Sequence, residues 1–188
     1  QELNFLYHTM RDAHIKGAEI YGTFMWSQGA LVNYINAKML WNPGDDAVAI
    51  QHDWLMHAYG PKAGAVMEQL YKNLDSWFDT FYNKYDYYSY HAREPLFSQL
   101  FAPHYAEMEQ LFLEAEAQPM TPAQQARLDL IKNNFIVLRW RMVNVGYIKA
   151  DAASPLKRDG VQGGELRVDG DNPRQTSDNP FDMFPIRW

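Results

Sequence analysis

Tyrosine is concentrated in one short stretch, residues 85–90, where four of the six side chains are tyrosine. A tyrosine ring offers an apolar face with a hydroxyl group at its edge, which suits stacking on a flat ligand such as a sugar ring. Tyr87 and Tyr88, in the middle of the stretch, are therefore candidates for binding a substrate. The commoner use of such residues is a loop that packs over neighbouring helices, and the sequence leaves this alternative open.

Carboxylates are numerous, but no pair of them stands out as catalytic. Hydrolysis of a glycosidic bond uses two carboxylates roughly 5–9.5 Å apart. Asp45 and Asp46 precede a predicted helix and are explained as capping residues, and Glu19 lies in a predicted strand, where a structural salt bridge is the commoner role. Four others are spaced as a solvated helix face: Glu107, Glu109, Glu114 and Glu116. The catalytic residues are thus left unassigned.

Metal-binding and nucleophilic motifs are weak or missing in the sequence. His52 and His57 are five residues apart, which does not place them well on one helix face for a zinc pair. His104 and Glu107 have the i, i+3 spacing of a ligand pair, but no Glu-x-x-His partner accompanies them. The chain has no cysteine, no glycine-rich phosphate loop and no Gly-x-Ser-x-Gly motif. We therefore expect neither a metal nor a cofactor.

Composition and charge exclude two classes of partner. The 188 residues carry a net charge of −6, and lysine and arginine are scattered rather than gathered into a basic stripe. Nucleic acid is therefore not an expected partner. Nor does any window approach the roughly 18 consecutive apolar residues of a membrane span.

The elements that must position these residues begin with a helix over residues 3–16, closed by Gly17. Residues 18–24 are then predicted to form a short buried strand. A single strand cannot satisfy its own backbone hydrogen bonds, and the sequence contains no second convincing strand before residue 150. We therefore expect this strand to be the last piece of a sheet in a larger upstream domain, which fits a chain that begins at Gln1 as a processed protein or a fragment.

The remaining pattern is mainly helical. Helices are predicted over residues 29–41, 45–59, 61–83, 103–118 and 121–150, with an ordered loop over residues 84–101. The last helix carries a heptad seam, which is either internal core or the surface of a homodimer: Leu128, Ile131, Phe135, Leu138, Met142 and Val145. Short connections favour an antiparallel bundle. The predicted organisation is a barrel-derived unit over residues 1–42, a bundle over 43–150 and an extended arm over 151–188.

One pattern resembles a known family. It consists of Trp26-Ser27-Gln28, the run from Leu31 to Pro43 ending in Leu-Trp-Asn-Pro, the acidic Asp46, and the run from Trp54 to Pro61 ending in Tyr-Gly-Pro. It is similar to DUF4838, a bacterial domain family found in large carbohydrate-active proteins, especially of Bacteroidetes. That family looks related to barrel glycoside hydrolases of the α-glucuronidase and β-hexosaminidase type. The resemblance covers roughly residues 1–80.

The resemblance implies roles for Trp26 and Gln28. It makes residues 3–16 a late barrel helix and residues 18–24 a terminal strand of a (β/α)8-type barrel. Trp26 and Gln28 would then lie at the carboxyl end of that strand, where barrel enzymes keep their sites. By loose analogy with a Trp-x-Glu of β-hexosaminidases, both are substrate-binding candidates, although glutamine cannot act as a charged group.

The resulting hypothesis is the C-terminal portion of a glycoside hydrolase-like protein of polysaccharide degradation, inactive alone, that supports its barrel and contributes to the pocket rim. Carbohydrate and the upstream barrel are the implied partners, and a periplasmic or extracellular location is implied by resemblance. The alternative is a non-catalytic helical module that binds glycan or another protein.

Overall fold

The computed structural model describes residues 2–18, 26–85 and 95–149. Six α-helices lie in these ranges: α1 (Glu2–Asp12), α2 (Trp26–Trp41), α3 (Ala47–Tyr59), α4 (Pro61–Tyr85), α5 (Ala102–Glu116) and α6 (Pro122–Val145). A π-helix, Leu96–Phe101, leads directly into α5. The described ranges contain no strand, and the mainly helical prediction is confirmed for them.

The predicted barrel strand falls almost entirely outside the described part of the chain. Residues 19–25 are not described, and Ala18 has no regular secondary structure. The terminal barrel element therefore stays a prediction.

Helices α3 to α6 form an antiparallel four-helix bundle. His52 on α3 contacts Glu68 on α4, Asn73 on α4 contacts Glu107 on α5, and Glu116 on α5 pairs with Lys132 on α6. Helix α6 also packs against α3, which completes the four-helix arrangement. In each consecutive pair a second contact lies further along one helix and earlier along the other: Leu55 with Gly64, Trp77 with His104, and Phe112 with Phe135. Each helix is thus antiparallel to the one before it, as short connections predict.

The close approach of α3 and α4 depends on two glycines. Gly60 ends α3 with φ 85°, a left-handed backbone that favours glycine, and Pro61 then opens α4. A Cβ atom at Gly64 would lie 2.6 Å from the carbonyl oxygen of Leu55. Only a residue without a side chain therefore lets the two backbones pack at this distance.

Almost all residues of the predicted heptad seam lie in the bundle core. Leu128, Ile131, Phe135, Leu138 and Met142 are all buried in the main hydrophobic cluster. Val145, the last seam residue, is 59% exposed. The seam through Met142 is thus internal core rather than a free surface for a second copy.

Two predicted boundaries were wrong at the start of the chain. Helix α1 ends at Asp12 rather than Lys16, because His14 adopts a left-handed conformation with φ 56° and the Ile15 amide bonds back to the Met10 carbonyl. This is the closure that glycine usually provides. Helix α2 begins at Trp26, three residues before the predicted start.

Part of the predicted loop over residues 84–101 is also helical. Leu96–Phe101 form the π-helix, with four apolar side chains buried: Leu96, Phe97, Leu100 and Phe101. Their spacing of i, i+1, i+4 and i+5 is a helical signal, but the neighbouring tyrosine-rich stretch hid it. Tyr85 is the last residue of α4, and residues 86–94 lie outside the described ranges.

Candidate functional site

The four predicted substrate-binding residues fall in two places. Trp26 and Gln28 both belong to the first turn of α2, two residues apart along the backbone, and their side chains are not described. Tyr87 and Tyr88 lie outside the described residues. The structure thus places Trp26 and Gln28 on one helical turn. The role of Tyr87 and Tyr88 stays a prediction.

The turn that follows α2, residues 42–46, is fixed by hydrogen bonds from α1. The Asn4 side chain donates through Nδ2 to Asp46 Oδ1 at 2.7 Å. Its own Oδ1 accepts from the Ala47 amide at 2.7 Å. One amide side chain thus bonds both the capping residue and the first helical amide of α3. Sequence reasoning missed Asn4, because its partners lie more than forty residues away.

Asp46 is the N-cap of α3, whereas the sequence predicted that Asp45 and Asp46 would supply the N-cap and a first-turn carboxylate together. Its carboxylate accepts from the Val48 amide at 3.1 Å, and Asn42 donates from its side chain to Asp45. The hydrogen bond from Asn4, followed by that from Val48, holds the pKa of Asp46 below its usual value. The acidic pair therefore organises the turn.

Helix α1 makes two further bonds to this region. The His8 ring is 3.2 Å from the Asp45 carbonyl oxygen through Nε2. The buried Tyr7 hydroxyl donates to Asn36 Oδ1 on α2 at 3.0 Å. Asn36 is itself only 5% exposed, so the pair satisfies two polar groups inside the core. Helix α1 is thus anchored to α2, the turn and α3 together.

Several large apolar side chains close in sequence to this anchored turn are exposed. Trp41 is 91% exposed and Phe5 is 76% exposed. Leu6, Leu40 and Val48 are also exposed. All five lie within two residues, along the sequence, of a group in the hydrogen-bonded network.

A second cluster lies between α4 and α5. The Trp77 and His104 rings are stacked with their centroids 4.1 Å apart and their planes at 9°. One turn along, Asn73 donates to Glu107 at 2.7 Å. His104 and Glu107, which are spaced like metal ligands in the sequence, thus make contacts between α4 and α5. Within the described residues, no group of three or more acidic or histidine side chains is placed to hold a metal ion.

One carboxyl group in the described ranges, that of Asp75, has a pKa well above the ordinary value for aspartate. Partial desolvation raises the pKa of Asp75 on α4 to about 6, and repulsion from Asp79 and Glu2 adds to the shift. Although such shifts occur at catalytic acids, they also occur in structural clusters. The carboxylates that face Asp75 are Asp79 and Glu2, and this acidic cluster does not by itself assign a catalytic role, so the catalytic residues stay unassigned.

The fold and the anchored turn define a helical bundle domain with an N-terminal helical extension. The family model of DUF4838, described as a domain of unknown function, matches residues 5–72. That segment contains most of α1, all of α2 and α3, the turn and the first half of α4. The match supports the domain family that the sequence pattern resembles.

The other comparisons gave no relative. No curated protein matched the chain, and no solved structure did. In the described part of the chain, none of the helices combines the length and apolar character needed to cross a membrane.

Proposed function

We propose that this chain is the helical portion of a glycoside hydrolase-like, carbohydrate-active protein. The bundle supports a barrel domain, and Trp26 and Gln28 contribute to the rim of the substrate pocket. The observation that carries the proposal is the DUF4838 match over residues 5–72 together with the start of α2 at Trp26. Both rim candidates therefore follow the predicted barrel strand directly.

The first turn of a helix suits a role in binding sugars. Its backbone N–H groups have no partner within the helix, and groups of this kind can donate hydrogen bonds to sugar hydroxyl oxygens. A tryptophan ring stacks on the apolar face of a pyranose, and a glutamine amide both donates and accepts hydrogen bonds. Trp26 and Gln28 place these chemical groups on the first turn of α2, at positions about 200° apart around the helix axis.

The anchoring of α1 suits a supporting role. Because Asn4, Tyr7 and His8 bond to three different elements, the position of α1 relative to the start of α2 is fixed. A barrel that shares α1 as its late helix would thus be held in register with the bundle. In this proposal the substrate is a polysaccharide, the catalytic carboxylates belong to the barrel, and the parent protein acts in the periplasm or outside the cell.

Glycan retention by the purified chain tests the rim residues. Native electrophoresis through gels containing a neutral β-glucan, a glucuronoxylan or chitosan measures weak binding directly. We expect at least one polysaccharide to retard the chain, and Trp26→Ala and Gln28→Ala to reduce that retardation. Leu130→Ala, a change at an exposed residue of α6, is the matched control. Equal retardation of all four proteins, or none at all, would remove Trp26 and Gln28 from the rim.

A further inference from the structure

Polar and aromatic side chains form a continuous strip where α4 meets α5. Asn73 accepts a hydrogen bond from Gln69 at 2.6 Å and donates one to Glu107 at 2.7 Å. One turn further along α4, Trp77 stacks on His104. Residues three or four positions apart are neighbours on a helix face, so these contacts lie side by side. All five side chains are exposed or half-buried, and we call them the polar strip.

The polar strip has hydrogen-bonding capacity that the protein does not use. Among the described residues, neither the indole N–H of Trp77 nor either ring nitrogen of His104 has a hydrogen-bond partner. Glu107 accepts one bond, from Asn73, although a carboxylate can accept about four. Because their mutual bonds already hold Gln69, Asn73 and Glu107 in place, a ligand that binds there costs little side-chain freedom.

The charge of the polar strip is negative and uncompensated. Glu107 forms no ion pair within the described ranges, and the lysine next to Asn73, Lys72, is paired with Glu68 at 3.1 Å. A ligand with an ammonium group therefore gains a charge-assisted hydrogen bond at Glu107. The carboxylate of a uronic acid would instead be repelled by Glu107.

An amino sugar has the chemical groups that match the polar strip. Its ammonium group complements the Glu107 carboxylate. Its hydroxyl groups both donate and accept hydrogen bonds, as do the amide of Gln69 and the ring nitrogens of His104. Sites for small ligands typically combine aromatic side chains with a few placed polar groups of this kind.

We propose that the polar strip, formed by Gln69, Asn73, Trp77, His104 and Glu107, binds an amino sugar unit of a polysaccharide. The ammonium group binds the carboxylate, and the neighbouring hydroxyl groups bind the amide and the ring nitrogens. This inference rests on the proposed function, because it takes the ligand to be carbohydrate, and it names the class of sugar that the bundle selects.

The indole N–H resonance of Trp77 reports binding at the polar strip directly. In a nitrogen–proton NMR spectrum of the full chain, Trp77→Phe identifies this resonance by its disappearance. We would titrate the chain at about pH 6, above the ordinary glutamate pKa of about 4.3, with trisaccharides of glucosamine and of glucose that share one linkage. We expect only the glucosamine trisaccharide to shift the resonance. No shift, or equal shifts with both sugars, would overturn the proposal.

Two variants separate the polar strip from general attraction to an acidic protein. Glu107→Gln keeps an acceptor for Asn73 but removes the charge, so we expect it to weaken glucosamine binding at least about tenfold. Asp129 on α6 is also an exposed carboxylate that accepts from an amide side chain, that of Gln125 at 2.9 Å. Asp129→Asn removes the same charge and should leave binding unchanged. Equal weakening by both variants, or by neither, would contradict a site at the polar strip.

This inference and the proposed rim fail separately. Trp26→Ala and Gln28→Ala should leave the shift of the Trp77 resonance unchanged. If the resonance stays silent while gel retardation still depends on Trp26 and Gln28, the polar strip is refuted and the rim is kept. If the resonance shifts while retardation is indifferent to both residues, the rim is refuted and the polar strip is kept.

Discussion

At the scale of single residues, Asn4 holds more of the N-terminal region together than its size suggests. Its amide bonds both Asp46 and the Ala47 amide, so its loss leaves a capping carboxylate and a helix-terminal N–H without that partner. We expect Asn4→Ala to lower the free energy of unfolding by about 1–2 kcal/mol. Thr9→Ala, a change at an exposed position of the same helix, should change it by less than about 0.5 kcal/mol. Urea denaturation at pH 7 measures both.

The effect of Asn4 on Asp46 also predicts a pH dependence. Because hydrogen bonding lowers the pKa of Asp46 in the folded state, its stabilising contribution is present above the ordinary aspartate pKa of about 3.9. It is lost as the pH falls through the lower folded value. The stability gap between the parent and Asn4→Ala should therefore shrink between about pH 6 and about pH 2. A gap of constant size across that range would show that Asn4 acts only through Ala47.

Gly64 sets the spacing of α3 and α4. Alanine favours helices over glycine by about 1 kcal/mol, but here its Cβ would lie 2.6 Å from the Leu55 oxygen. Overpacking of this kind typically costs about 1–3 kcal/mol, so we expect Gly64→Ala to destabilise the protein in denaturant titrations. At Gly44 the nearest atoms to a new Cβ are side-chain atoms at 3.5 and 3.6 Å, and Gly44→Ala serves as the control. A Gly64→Ala protein as stable as its parent would mean that the two helices can separate at little cost.

At the scale of elements, the contact between α4 and α5 depends in part on the stacked rings of Trp77 and His104, whose centroids are 4.1 Å apart. Stacked aromatic pairs contribute about 0.5–1.5 kcal/mol beyond the area that they bury. We therefore expect His104→Ala to lower the free energy of unfolding in urea, and His104→Phe, which keeps a stacked ring, to retain most of that stability. A His104→Phe protein as unstable as the His104→Ala protein would contradict a contribution from stacking.

How well each element was predicted depends on where its determinants lie. The end of α3 and the starts of α4 and α6 were predicted from local signals: Gly60, Pro61, and Thr121 with Gln124, which are spaced as a capping box. The structure confirms these three. The start of α3 was predicted two residues early, since Asp46 is the N-cap and Ala47 the first helical residue. The end of α1 was missed because a histidine performs the closure expected of glycine. The π-helix was missed because the neighbouring tyrosine-rich stretch hid the helical spacing of its four buried apolar residues.

The candidate site, too, was predicted where its determinants are local in sequence and missed where they depend on tertiary contacts. The sequence predicted the capping role of Asp46, which is local, but not its bond to Asn4, which joins two segments by tertiary packing. Nothing in the sequence distinguishes the exposed Trp41 from the half-buried Trp54 and Trp77, because all three lie in helices. The placement of Trp26 and Gln28 on one turn was not predicted, since α2 was expected to begin at residue 29.

At the scale of the whole molecule, one hydrophobic core connects the described helices. The main cluster runs from Leu3 on α1 to Met142 on α6 and includes residues of every helix between them. We therefore expect a single cooperative unfolding transition, with tryptophan fluorescence and far-ultraviolet circular dichroism giving the same midpoint in urea. Two separated midpoints would show that α1 and α2 unfold independently of the bundle.

The packing of α6 against α3 has a consequence for how the chain folds during synthesis on the ribosome. Arg127 donates to the Ala58 carbonyl oxygen at 3.3 Å, so α3 receives this bond from a residue 69 positions later. At about 5–20 residues per second, synthesis from the end of α3 at Tyr59 to the end of α6 at Val145 takes roughly 4–17 s. During that interval the nascent α2 and α3 expose the apolar faces that α6 later covers. Because α6 is synthesised after the other described helices, the core stays accessible to chaperones until α6 has packed.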